Sequence, residues 1–133
     1  MNDIEQFLQN NVFAVAGASA NRAKYGNKVV RAYKQNSRTV HPLNPQMPEI
    51  EGLPAFASVA DLPDDVNAIS VVTPPTVTLQ IVREALRRNI KNIWMQPGAE
   101  HPEAIRLAVD AGANVIADGS CVLVALGYRE NSQ

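Results

Sequence analysis

The stretch Val12-Phe13-Ala14-Val15-Ala16-Gly17-Ala18-Ser19-Ala20-Asn21-Arg22-Ala23-Lys24-Tyr25-Gly26 governs the reading of the chain. Its opening apolar run, with no polar alternation, is the pattern of a strand buried on both faces, and such strands belong to parallel sheets covered by helices. Gly17 lets the backbone turn sharply and come close to a ligand, and the small residues after it leave that approach open. Backbone N–H groups of the loop and of the following helix favour an anion there. The Gly-x-Gly-x-x-Gly spacing of dinucleotide folds is absent, as is the Gly-x-x-x-x-Gly-Lys-Ser/Thr of P-loop NTPases. An ordinary strand-to-helix turn with one structural glycine fits the same letters, so the surrounding charge has to separate the two readings. Arg22, Lys24, Lys28, Arg31, Lys34 and Arg38 are half of the 12 Lys and Arg, and no acid lies between Asn10 and Gln46. At a rise of 1.5 Å per residue, Arg38 lies roughly 15 Å beyond Lys28, too far to serve the helix start. Arg22, Lys24 and Lys28 are therefore the phosphate candidates, and Arg31, Lys34 and Arg38 are expected on a solvated face.

Outward from this stretch the same rhythm repeats. Thr39–Leu43, Ala68–Val72, Asn92–Met95 and Ala113–Ala117 read as further strands. Helices are expected from about Asn27 to Asn36 with Val29, Val30 and Tyr33 inward, and after Pro74-Pro75 with Val77, Ile81, Val82, Ala85 and Leu86 on one face. Another lies between Pro102 and Gly112, with Ala104, Leu107, Ala108 and Ala111 inward. Met47 to Leu62 shows no period and is expected to cross the sheet with one short helical turn. Strand–helix alternation of this kind predicts a doubly wound α/β layer fold, one domain over residues 1–133, with a mostly parallel five-stranded sheet and helices on both faces.

Composition narrows the function. The chain has 133 residues, 46% hydrophobic, with a formal net charge of −1, which argues against nucleic acid or an anionic membrane as partner. One cysteine excludes an internal disulfide framework and a cysteine-based zinc site. Neither a signal-peptide start nor a run of ~20 apolar residues is present, so the expected location is cytoplasmic.

Ligands of such sheets bind at the carboxyl ends of the strands. There, His41-Pro42-Leu43-Asn44-Pro45 lacks the carboxylate that would hold the ribose of unmodified NAD, though Asn44 offers either a ribose or adenine contact or a turn. Thr73-Pro74-Pro75 and Gln96-Pro97-Gly98 supply rigid turns that serve equally as apolar pocket walls or as helix starts. His41 and His101 lack partners at triad or metal spacing, which leaves capping or surface roles. Cys121 reads as a small buried hydrophobe or as a group meeting a ligand thiol, and Asp118 is expected to cap the turn over Ser120–Leu126. The site is built to hold rather than to transform. Besides a binding module, a small NAD(P)-dependent oxidoreductase or redox sensor, with NADP as its best form, remains open as a reading.

These motifs together resemble the small single-domain CoA-binding proteins, similar in turn to the N-terminal domain of the succinyl-CoA synthetase alpha subunit. The resemblance rests on Val15–Ser19, Lys24-Tyr25-Gly26, Leu43-Asn44-Pro45, Thr73-Pro74-Pro75, Trp94–Gly98, and Asp118 with Cys121, and spans Phe7 to Leu126. It implies a Rossmann-like fold binding coenzyme A or acyl-CoA, with phosphates over Gly17, Ala18, Ser19 and Asn21 and the adenosine near Asn44 and Pro74. Two departures remove positive charge. Gln46 stands where relatives often carry a basic residue, and Gly119-Ser120 replaces the arginine that commonly precedes the cysteine. The second domain of the ligase is absent from the sequence, so the resemblance implies no ligase activity; it leaves open an interaction domain of a split acyl-CoA ligase.

Overall fold

The computed structural model describes residues 3–130. Five strands form one parallel sheet: β1 (Val12–Ala16), β2 (Thr39–Leu43), β5 (Ala68–Val71), β6 (Asn92–Met95) and β7 (Asn114–Ile116), in the order β2-β1-β5-β6-β7. The order reverses between β1 and β5, where Phe13 pairs with Ala68 and Ala16 with Val71. The crevice for a ligand therefore opens at the carboxyl ends of these two strands.

Side-chain alternation along β1 assigns the layers. Phe13 and Val15 face α1 (Asp3–Leu8), α2 (Tyr25–Gln35) and α5 (Val122–Ala125), while Ala14 and Ala16 face α3 (Pro75–Arg87) and α4 (Pro102–Asp110). The first core is aromatic. Phe13 stacks on Tyr33 at 4.7 Å and packs beside Phe7, whose ring meets Trp94 edge-on at 5.2 Å. Tyr33 and Ser70 are fully buried, with their hydroxyls 2.6 Å apart. Tyr33→Phe keeps the packing but strands the Ser70 hydroxyl, so chemical denaturation should show a loss of about 1–2 kcal/mol.

Several expectations are corrected. The region from Met47 to Leu62 contains the expected helical turn, a 3-10 turn at Val59–Asp61, but also an antiparallel hairpin, β3 (Glu49–Ile50) and β4 (Leu53–Pro54). Strands of two residues are too short to leave a period in the sequence. Helix α1 was not anticipated, and α2 starts at Tyr25 rather than Asn27. On α3, Thr78, Val82 and Ala85 are buried while Val77 is exposed, because the helix crosses the sheet with its first turn projecting over the crevice. On α4 only Ala104 and Ala108 of the expected face are buried, and Ala111 is exposed.

Two of the three basic residues expected on a solvated face are corrected as well. Arg31 is only 3% exposed, and Arg38 donates to the Leu8 carbonyl with its guanidinium over the Phe13 ring. Lys34 is exposed, yet its Nζ donates to the Glu51 carbonyl at 2.7 Å. Spacing along the sequence carried no signal that the C-terminal segment would lie over Arg31 or that the N-terminal segment would meet Arg38. Asp118 does not cap α5. Its carboxylate accepts from Ser120 N–H; the Ser120 side chain, and then that N–H, hold its pKa below the ordinary range, and Cys121 is the residue at the helix start.

Candidate functional site

Three backbone segments converge at the head of the crevice. Gly17 sits at φ +85°, and a Cβ there would lie 2.1 Å from the Val72 carbonyl oxygen. A Cβ on Gly26, in the first turn of α2, would lie 2.0 Å from the Gly17 oxygen. Only glycine at both positions lets α2 begin directly against the end of β1, which brings the N–H groups of its first turn to the crevice.

The intervening loop is held by its own side chains and by three distant ones. Ser19 Oγ accepts from Asn21 N–H, and Asn21 Oδ1 accepts from Ala23 N–H, each at 3.0 Å. The carbonyls of Ala18, Ser19 and Arg22 accept from Asn44 Nδ2, Asn27 Nδ2 and an Arg31 Nη at 2.9, 2.8 and 2.7 Å. Among the described residues, the N–H groups of Ala18, Ser19 and Ala20 donate to none. With carbonyls tied back and amides unengaged, the loop presents donors.

Two adjoining hollows share Gly17, Ala18, Asn44 and Thr73. The first, about 430 Å³, is lined also by Ser19, Lys24, Tyr25, Gly26 and Pro74. The second, about 300 Å³, is a slot walled by Leu43, Pro45, Val59, Val77 and Ile81, with Ser58, Gln80 and Glu84 at its rim. Arg88 steadies one wall, because its guanidinium donates to the carbonyls of Val59, Ala60 and Leu62 around the 3-10 turn. The sequence reading did not find this slot. Its signal is the pair Val77 and Ile81, which the helical period placed on the core face.

Of the residues singled out from sequence, Gly17, Ala18, Ser19, Lys24, Tyr25, Gly26, Asn44, Pro45, Thr73 and Pro74 line one hollow or the other. Asn21, Arg22, Pro75, Gln96, Pro97 and Gly98 line neither. Among the three phosphate candidates, Arg22 is paired with Glu51 at 2.8 Å and Lys28 with Glu130 at 3.7 Å. Lys24 is exposed at the hollow, with no ion pair among the described residues.

Asn44 serves the turn reading, since its Oδ1 accepts from the N–H groups of Gln46 and Met47. Tyr25 donates its hydroxyl to Gln96 Oε1 at 2.8 Å and lies against Cys121 Sγ; burial and that thiol push its pKa upward. Gln96 Oε1 also accepts from Val122 N–H, leaving Nε2 buried without a partner among the described residues. Cys121 itself is half-buried. His101 caps α4 through Nδ1, and His41 packs edge-on against Phe56.

A family model described as a CoA binding domain matches residues 11–127. The chain belongs to that family. Among the CoA binding domain's curated relatives, an ADP-forming acetate–CoA ligase of Archaeoglobus fulgidus is 32% identical over 88 residues, 66% of this chain but 13% of the ligase. The chain spans between 11% and 20% of the length of the ADP-forming ligases it matches. An uncharacterized Bacillus subtilis protein, YneT, is 25% identical over 92% of this chain and 91% of its own. Among solved structures, a conserved hypothetical protein from Pyrococcus furiosus superposes with a TM-score of 0.82 at 42% identity, over 86% of this chain and 98% of that one. Among the described residues, no helix is long and apolar enough to cross a membrane.

Proposed function

We propose that this CoA binding domain holds coenzyme A or an acyl-CoA at the head of β1 and β5 without transforming it. The observation that carries the reading is the pair of joined hollows, one lined by donor N–H groups and Lys24, the other apolar and of a size for a flat base. A diphosphate over the loop and a nucleobase in the slot require that adjacency. NAD fits less well, because Asn44, at the ribose-binding position after β2, is engaged by Ala18, Gln46 and Met47. The use of the polar side chains at the crevice supports binding without chemistry. Ser19 and Asn44 hold turns, and Thr73 Oγ1 is bonded to Thr78 Oγ1 at 2.7 Å.

Calorimetric titration with CoA, dephospho-CoA and NAD tests the reading. Saturation by CoA at micromolar concentration is expected, and no heat at millimolar CoA would refute it. Lys24→Ala should weaken CoA by about tenfold, the effect of one charge-assisted contact. Arg87→Ala, roughly 18 Å away along α3 from its crevice end, should change affinity less than about twofold. Equal losses would remove Lys24 from the site. The match to one region of the ADP-forming acetate–CoA ligases supports a second reading, in which the domain is the CoA-binding part of an acyl-CoA ligase assembly; co-purification with a larger acyl-CoA enzyme from the host would support it.

A further inference from the structure

No acid lies between Glu5 and Glu49 in the sequence around the loop, yet a carboxylate stands beside it. It arrives from the hairpin. Glu51 and Gly52 form the two-residue connection between Ile50 and Leu53, both left-handed at φ 51° and 77°. Consecutive left-handed residues are the geometry of a type I′ turn, where Asn or Gly at the first position is far less strained than Glu. The strain is offset by contacts that aim the side chain at the loop. Oε1 accepts from Arg22 at 2.8 Å, Oε2 accepts from Asn27 Nδ2 at 3.0 Å, and the Glu51 carbonyl accepts from Lys34. The side chain of Glu51 is 13% exposed and that of Arg22 is 53% exposed. The carboxylate is the fixed partner and the guanidinium the one free to leave.

We propose that Glu51 is an internal competitor for the anion at the phosphate loop, limiting how tightly the crevice holds a nucleotide diphosphate; for CoA this rests on the reading above. Arg22 lies on the loop between Ser19 and Lys24, both of which line the phosphate hollow. To reach a phosphate it must abandon Oε1, leaving a withdrawn carboxylate short of its cation and repelling the bound anion. Opposed charges at this one point make the loop nearly neutral there, and the ligand remains exchangeable.

The test is a double-variant cycle, read by calorimetry with CoA and, separately, with inorganic pyrophosphate. Glu51→Gln should tighten both ligands by about fivefold, and Arg22→Gln should weaken both by a similar factor, since it exposes an uncompensated carboxylate. The double variant should return to within about twofold of the starting protein. Glu51→Asn is the second variant, because it suits the left-handed turn and also releases Arg22; it too should tighten binding. Weaker or unchanged pyrophosphate and CoA binding in both Glu51 variants overturns the proposal, and so does a double variant no better than Arg22→Gln. Pyrophosphate that tightens while CoA never binds would instead leave the competitor standing and remove CoA as the ligand.

Discussion

Gly26→Ala should abolish measurable CoA binding and lower the unfolding free energy by about 2–4 kcal/mol. Intrinsic preference points the other way, since alanine in an ordinary helix position stabilises by up to ~1 kcal/mol over glycine. Gly26 is not among the left-handed residues, so its requirement is steric. The added methyl would stand 2.0 Å from the Gly17 oxygen and 3.0 Å from its carbon. Gly17 has little room to retreat on its other side, where its backbone lies so close to Val72 that even a Cβ would stand 2.1 Å from the Val72 carbonyl oxygen. The start of α2 must therefore move away from β1, which carries Tyr25 and Lys24 out of the loop-side hollow. Urea denaturation and titration with CoA measure the two effects. A variant that binds CoA within twofold and denatures like the parent would show that the three backbones are not held as close as they stand here.

The second large effect is expected at Arg31, which sequence spacing placed among solvated charges. Its Nε donates to Asn27 Oδ1 and an Nη donates to the Arg22 carbonyl, both at 2.7 Å, with the guanidinium 5.4 Å from the centre of the Tyr128 ring. Asn27 in turn holds the Ser19 carbonyl and Glu51. Arg31 thus orders the loop at two points at once. Arg31→Ala removes a buried donor set and leaves two acceptors unfilled, so a loss of about 2–4 kcal/mol is expected. Arg31→Lys keeps the charge, but its single ammonium lacks the planar fork and should restore little. Hydrogen exchange at Lys24 N–H, which is bonded to the Asn21 carbonyl, should accelerate in both variants. If Arg31→Met, which preserves bulk without donors, lies within about 0.5 kcal/mol of the parent, packing alone explains the residue.

How far the sequence carried the reading varies by element. The sheet strands were legible because strands covered on both faces leave mostly apolar, β-branched runs, and prolines and glycines punctuate their ends; β2, with His41 and Pro42 inside it, gave the weakest signal. The glycine loop was legible for a related reason, since a close backbone approach demands a residue type that can be read directly. Hairpin β3–β4 was not. Its strands are two residues each, and the turn uses Glu51 where the usual left-handed residue would have announced it. Val77 and Ile81 were read as core because helical period identifies an apolar stripe without saying whether a sheet or a ligand slot lies against it.

The amino-acid order alone determined the layered α/β architecture, the position of the crevice at the end of β1, and the need for small residues there, because each depends on local period or on a side chain being absent. Only the tertiary structure decided which charges serve the crevice. Lys24 stands exposed at the loop-side hollow, Arg31 is buried as a tie, and Arg22 faces a carboxylate from 29 positions away. Charge pairing depends on distance in space, and a chain folded back on itself sets that distance independently of spacing along the sequence.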